Sequence, residues 1–296
     1  VQKTPKLFVA LCVLPALALT LVFMLGPMLN AVWMSFTDST ALGVGFGSRF
    51  IGLDNYRYMF GDKNFLDALK NTGKLLAVVP AITIALSVLL AFILTQSRIR
   101  EKAFYRTVYF FPSILSLTVV AILWSFVFNP TRGILNHLLE LLGLEAWQHA
   151  WLGERATALW AIAAALVWQA AGYYMVMLVA AIDGISQDVY EAADIDGASA
   201  AQKLFLITVP LLKNAIGVTY VLSLSGTINL SFTLSNVMTG GGPNGASSVL
   251  LQYMYRQGMR NANFGYAMAI AIFTLLLAVV LAVATRRITG NRRAAL

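Results

Sequence analysis

The sequence predicts an all-α, polytopic membrane protein, and three observations carry that prediction. Hydrophobic residues make up 59% of the 296 residues, and charged residues only 11%. The charges are placed so that six stretches carry none: 7–37, 75–97, 107–131, 156–182, 214–255 and 261–285. Each can hold the roughly 20 apolar residues that a helix needs to cross a bilayer. A charge at mid-bilayer costs at least about 2.5–3.5 kcal/mol, so six such gaps are hard to explain in a soluble chain. Third, the bases gather at connections. Lys3 and Lys6 precede the first span, Arg98, Arg100, Lys102 and Arg106 crowd the turn after the second, and Arg286, Arg287, Arg292 and Arg293 follow the last. Positive charge marks the cytoplasmic side, so all three places and both termini are expected inside, which an even number of spans requires. The net charge of +8 is therefore used in topology, and no nucleic-acid patch is seen.

Six spans are expected at about 7–34, 74–96, 106–128, 156–182, 210–234 and 265–285, forming a single membrane domain over 1–296. In the first, Ala16-Leu-Ala18 resembles a signal-peptide cleavage site. The apolar run continues through Met34, well past the length of a signal core, so retention is expected. Pro15 and Pro27 bend this helix, and Cys12, the one cysteine, is read as a small packing residue. Outside, a loop with Gly43, Gly45 and Gly47 leads to Gly52-Leu-Asp-Asn-Tyr56 and an amphipathic stretch from Tyr56 to Leu69. Span two is interrupted by Pro80. Phe104-Tyr-Arg-Thr-Val-Tyr-Phe-Phe-Pro112 opens span three, and Trp124, Phe128-Asn-Pro130 and Gly133-Ile-Leu-Asn136 close it. Trp124 and Trp151 are expected as interfacial anchors. His137 and His149 have no Cys or carboxylate at ligand spacing, so no metal site is expected.

Span four contains Trp168-Gln-Ala-Ala-Gly-Tyr-Tyr174. Gln169 and Tyr173 are four apart and share a helix face. Span five carries Ser223, Ser225, Thr227, Asn229 and Ser231. Such groups either bond between helices around Gly226 or line a path for an uncharged, hydroxyl-rich solute, and both readings stay open. Thr239-Gly-Gly-Gly-Pro-Asn-Gly245 reads as a flexible outer loop without charge. It lacks the Lys-Ser/Thr of a nucleotide-binding loop.

The most informative stretch is 186–205, between spans four and five. Asp188 and Glu191 have capping-box spacing, so a two-turn helix is expected over Val189–Asp196. Gly197 is placed to take the left-handed conformation that ends it. Ser199 and Gln202 repeat the capping spacing and begin a second short helix. Five acids (Asp183, Asp188, Glu191, Asp194 and Asp196) face one base, Lys203.

Glu191-Ala192-Ala193, then Gly197, Ile207 and Pro210, resembles the EAA loop of ATP-binding-cassette (ABC) importer permeases, with Val209 where the family usually has Leu. The GLDNY run, the start and close of span three, Thr239-Gly-Gly-Gly-Pro243, Tyr253-Met-Tyr-Arg-Gln and Asn263-Phe-Gly-Tyr266 resemble the same family. The likeness narrows to carbohydrate importers of the maltose and glycerol-phosphate type. It implies a bacterial inner-membrane complex of this chain, a second and different permease, two ATPase subunits and one extracytoplasmic substrate-binding protein. It also implies that Glu191, Ala192, Ala193, Asp194, Gly197 and Ala198 belong to a cytoplasmic helix pair docked on the ATPase. Thr239, Gly240, Gly241, Gly242 and Pro243 would lie near the binding protein. The family's pathway positions fall on Ser113, Leu117, Gln169, Ala170 and Tyr173, and near Leu224, Thr227, Ile228 and Ser231, with Asn229 beside them. Leu117, Leu224 and Ile228 cannot hydrogen-bond a sugar, and Thr233 stands where many relatives carry Asp. ATP and Mg would sit on the partner ATPase, and this chain would bind no cofactor. A rival reading, an ion-coupled secondary transporter, usually needs an intramembrane charge and an internal repeat, and neither is found. An embedded enzyme would need a nucleophile, metal cluster or paired carboxylates; the acids at 183–196 have capping spacing instead.

Overall fold

The computed structural model describes residues 6–40, 48–96 and 100–289. Lys3, Gly43, Gly45, Gly47, Arg98, Arg292 and Arg293, used in the reading above, lie outside them. Among the described residues the fold is helical, and one isolated antiparallel bridge, Thr37 with Phe50, is the only extended pairing. Among the described residues five helices are long and apolar enough to cross a membrane, or six if the bent pair Lys102–Ile114 and Leu117–Val127 counts as one span.

The chain forms two compact units, Val1–Lys63 with Met254–Leu275 and Asn64–Tyr253 with Leu276–Leu296. In the first, α1 (Lys6–Thr20) runs through a wide turn at Leu21–Leu25 into α2 (Gly26–Met34), where Pro27 occupies the first turn. Every side chain from Leu11 to Leu29 is exposed, Cys12 included, so Cys12 does not fill a core. The GLDNY run enters α3 (Asp54–Gly61) through Gly52, whose φ is +60°. The buried Asn55 amide donates to Ser35 O at 2.9 Å and Thr37 O at 2.8 Å. Tyr56 donates to Ser35 Oγ at 2.8 Å. The Asn263-Phe-Gly-Tyr266 run closes on the same segment: Gly265 N–H donates to Ser39 O at 2.9 Å, and Tyr266 donates to Asp62 Oδ2 at 2.7 Å. A Cβ at 265 would collide with the Thr37 carbonyl, so both motifs grip one segment, 35–39, and the second does so through a glycine.

The second unit is built around α8 (Ala158–Ile182), which is apolar on most sides and rich in Ala. α4 (Lys63–Gln96) is one continuous helix, where 74–96 was expected. Phe65, Ala68, Asn71, Thr72, Leu75, Leu76 and Val79 are buried at helical spacing, so its buried face continues from the amphipathic stretch expected over 56–69 straight into the span. Its 34 residues are about 51 Å long against about 30 Å of hydrocarbon. Pro80 lies inside it without ending it.

Span three also departs from expectation. It is α5 (Lys102–Ile114) and α6 (Leu117–Val127), bent by 99°. The break lies at Leu115 and Ser116, both extended, one turn after Pro112. α5 presses so closely on α8 that a Cβ on Gly172 would overlap the Tyr109 carbonyl. Tertiary contact with α8, together with Pro112, turns the chain there.

α7 (Ile134–Leu141) and a 3-10 turn at Glu145–Trp147 follow. Asn136 organises this segment: its amide donates to Pro130 O and His149 O at 3.0 Å each, and its carbonyl oxygen accepts Trp151 Nε1 at 2.7 Å. Trp124 packs on Phe128 at 5.0 Å and Trp168 at 5.7 Å between ring centroids. Both tryptophans expected as interfacial anchors are thus held by internal partners. The histidines do have carboxylate neighbours, contrary to the spacing argument: His149 Nδ1 lies 3.0 Å from Glu154 and His137 Nδ1 3.5 Å from Glu140. No group of three metal-ligating side chains occurs among the described residues. α9 (Gln187–Ile195), α10 (Ala200–Gln202), a wide turn at Lys203–Thr208 and α11 (Val209–Leu211) lead to α12 (Lys213–Met238). α13 (Leu250–Tyr255), a wide turn at Arg256–Arg260 and α14 (Phe264–Thr289) complete the chain.

Candidate functional site

Two places in the structure present the residues singled out above. The first is the helix pair at 186–211. The cap of α9 is Ser186, two residues earlier than expected, and its Oγ accepts the Asp188 N–H at 3.4 Å. Asp188 is therefore not the cap but a first-turn acid, where a carboxylate favours the helix dipole. The start moves because Ser186 is already extended (ψ 134°), so the helix begins before Asp188 can cap it.

The far end of α9 is as expected. Gly197 has φ +71°, its N–H donates to Asp194 O at 3.1 Å, and Ala198 N–H donates to Ala193 O at 2.9 Å. This pair of bonds is a Schellman stop, in which a left-handed residue satisfies the last carbonyls. Ser199 and Gln202 then form a reciprocal capping box. The unit is fixed from beneath. Tyr190 is buried and its hydroxyl bonds Thr208 Oγ1 at 2.9 Å. It packs in a core with Phe92, Met175, Leu178, Ile182 and Leu204. Ala193 is buried too. Lys203, the lone base among the five acids, is paired with Asp194. On the opposite face Glu191, Ala192, Asp196 and Gly197 are exposed. Ile195, at 87% exposure, is the most exposed large apolar side chain of the described residues. An acidic ridge with an apolar tip results, and none of the described residues covers it.

The second place is the loop Thr239–Ser248. It is not the flexible loop that its glycines suggest. Thr239 Oγ1 bonds Ser235 O at 2.9 Å and Ser247 Oγ at 2.7 Å, and Ser235 Oγ donates to Ser247 O at 2.7 Å. Gln252 Nε2 donates to Gly240 O at 3.1 Å. Asn71 on α4 donates to Gly245 O and Ser248 O, each at 3.0 Å. Gly240, Gly241 and Gly245 have positive φ, so the glycines serve a fixed turn, with a cis bond before Pro243.

The residues of the expected sugar path divide into two kinds. Thr227 and Ser231 are buried and bond carbonyls of their own helix, Ser223 O at 2.8 Å and Ile228 O at 3.0 Å. Ser113 donates to the backbone carbonyl of Gln169 at 2.8 Å, across the α5–α8 contact. Gln169 Oε1 is buried without a hydrogen-bond partner. Tyr173 and Asn229 are exposed, and the Asn229 amide reaches only Ser225 O on its own helix at 3.1 Å.

Comparison with known proteins decides what this arrangement belongs to. Residues 84–293 match the family model of the binding-protein-dependent transport system inner membrane component. The chain is a member of that family. Among curated relatives, this permease is 35% identical over 277 residues to the probable ABC transporter permease protein YurN of Bacillus subtilis, covering 93% of this chain and 94% of that one. It is 31% identical to the diacetylchitobiose uptake system permease protein NgcF of Streptomyces coelicolor, covering 93% and 81%. It is also 31% identical to the sn-glycerol-3-phosphate transport system permease protein UgpA of Escherichia coli, covering 95% and 94%. The solved structure of a bacterial ABC transporter involved in alginate import shares the fold, with TM-score 0.83 and 24% identity over 98% of this permease and 97% of that chain.

The permease is thus a multi-pass, all-α membrane protein, and its resemblance to carbohydrate-importer permeases holds over most of its length. Ser186, Tyr190, Thr208, Asn71, Ser247 and Gln252 shape the two places described and were missed in the sequence. Only the alternation of acids and Ala around Tyr190, which leaves one apolar face, could have pointed to any of them.

Proposed function

We propose that this permease forms half of the translocation path for a sugar, a di- or oligosaccharide, and couples it to ATP hydrolysis on a separate ATPase subunit. A second permease subunit, two ATPase subunits and an extracytoplasmic substrate-binding protein complete the complex. ATP and Mg belong to the ATPase, and this chain binds no cofactor itself. The family description names the binding protein, and the diacetylchitobiose and glycerol-phosphate relatives support a hydroxyl-rich solute. The observation that carries the coupling role is the ridge at 186–198, anchored by Tyr190 and bare on its Glu191, Ala192 and Ile195 face.

The chain is read as one membrane domain in a bacterial inner membrane, with both termini and residues 183–205 cytoplasmic and 235–260 outside. Single-Cys labelling of intact cells is expected to modify position 244 and spare position 200. The opposite pattern overturns the orientation and the coupling role with it.

At Gly197 a Cβ meets nothing within 4 Å, so a side chain there costs only its left-handed backbone and whatever it does to a docked partner. Gly197→Asp is expected to leave the permease in the membrane and to lose ATPase copurification, or binding-protein-stimulated hydrolysis in reconstituted vesicles. Normal values of both would reduce the ridge to an ordinary turn.

Within the path, Gln169 Oε1 is unbonded and Tyr173 and Asn229 are exposed, whereas the Thr227 and Ser231 hydroxyls are buried and spent on their own helix. Ser113 positions the α8 backbone. Gln169→Leu is expected to slow transport several-fold, the loss of one hydrogen bond of about 0.5–1.5 kcal/mol, while Thr227→Val leaves it near wild type. Equal transport in both variants would assign Gln169 to packing.

A further inference from the structure

A pocket of about 180 Å3 lies beside the ordered loop, lined by Asp67, Lys70, Asn71 and Lys74 of α4, by Arg155 before α8, and by Asn244, Gly245 and Ala246. The four α4 residues lie at i, i+3, i+4 and i+7, so they share one helix face. Asn71 turns inward and clamps Gly245 O and Ser248 O. Lys70, Lys74 and Arg155 remain exposed at the rim. Against these three bases stands one acid, Asp67, whose oxygen lies 4.0 Å from Lys70 Nζ. No side-chain hydrogen bond or ion pair of Lys74 or Arg155 occurs among the described residues. The rim is cationic, and its wall is backbone held by hydrogen bonds.

We propose that this pocket is the contact at which the substrate-binding protein seats an acidic side chain, so that Lys70, Lys74 and Arg155 steer and orient docking. This rests on the function proposed above, which places the loop outside the membrane and gives the permease a binding-protein partner. Charge complementarity selects the occupant. Three exposed cations around a small pocket fit one carboxylate brought by a larger surface, whose other contacts supply the affinity. Exposed charges of this kind act mainly on the rate and orientation of encounter and are screened by salt. The pocket wall also ties three elements together. Its loop is bonded to α4 through Asn71 and, through Ser247 and Ser235, to α12. A carboxylate seated there would touch the loop that Ser247 and Ser235 tie to α12, one of the helices that bear the sugar path.

The test is binding-protein-stimulated ATP hydrolysis by the whole complex in vesicles, titrated with its substrate-loaded binding protein at low and high NaCl. Lys70→Gln/Lys74→Gln/Arg155→Gln is expected to raise the half-saturating concentration about 10-fold at low salt, each exposed pair contributing a few-fold. The maximal stimulated rate should be kept, and the difference should close at high salt. Asp67→Asn removes the one opposing acid and should move the half-saturating concentration the other way. An unchanged half-saturating concentration in the triple variant, or a shift that salt does not diminish, overturns the proposal. Inorganic phosphate is the competitor: if millimolar phosphate blocks stimulation in wild type but not in the triple variant at matched ionic strength, the pocket is a small-anion site and not a docking contact. If wild type shows no response to any binding protein, the parent function fails, and this contact with it.

Discussion

The helix pair at 186–211 and the loop at 239–248 both depend on left-handed glycines, and they use them in opposite ways. At Gly197 the turn leaves open space around the missing Cβ, and the structure below it is anchored on one side only, by Tyr190 and Lys203. At Gly241 a Cβ would come within 2.8 Å of Gln252 Oε1, inside a lattice that also takes in Thr239, Ser235, Ser247 and Asn71. One glycine shapes a surface that is offered outward. The other lets backbone sink into its own chain. Small residues in a turn therefore do not by themselves mean mobility; what matters is whether the backbone groups around them are already bonded.

The comparison can be broken at its strongest point by Asn71→Leu, which strands the carbonyls of Gly245 and Ser248. Leaving one buried and one half-buried acceptor unpaired is expected to cost about 2–3 kcal/mol. It should be read as a lowered melting temperature of the purified complex and new protease sensitivity near 240–248. A wild-type melting temperature would mean that the loop is not held from α4. Gly241→Ala comes next, at about 2 kcal/mol, adding displacement of Gln252 to the left-handed backbone penalty. Gly197→Ala pays only that backbone penalty, about 1 kcal/mol, since nothing lies in the way of its Cβ. Measured side by side, the two Ala variants sharpen the contrast, and equal melting shifts would erase it.

What the sequence revealed follows the range of the forces involved. The six apolar stretches, the Schellman stop at Gly197 and the capping box of Ser199 and Gln202 depend on neighbours within a few positions, so spacing alone exposed them. The start of α9 missed by two residues because Ser186 and Asp188 are both good caps, and backbone geometry chose the earlier one. The corner after Ile114 was hidden because it needs Gly172, 58 positions away, to let α5 close on α8. The order of the loop at 239–248 was hidden for the same reason: Asn71 lies more than 170 positions upstream. Span two began earlier than expected because charged residues near the end of a long helix ride on a face whose other side is buried.

The corner between α5 and α6 has a consequence for the membrane itself. At 1.5 Å per residue, the 13 residues of α5 reach about 20 Å and the 11 of α6 about 17 Å, so neither alone crosses a hydrocarbon layer of about 30 Å. Where they meet, Leu115 and Ser116 leave the helical bonding pattern, and lipid tails offer nothing to bond the freed peptide groups. Such an interruption survives only against protein or water. If the pair crosses as one span, the bilayer is walled off at the corner, which then marks a spot on this chain where oil ends.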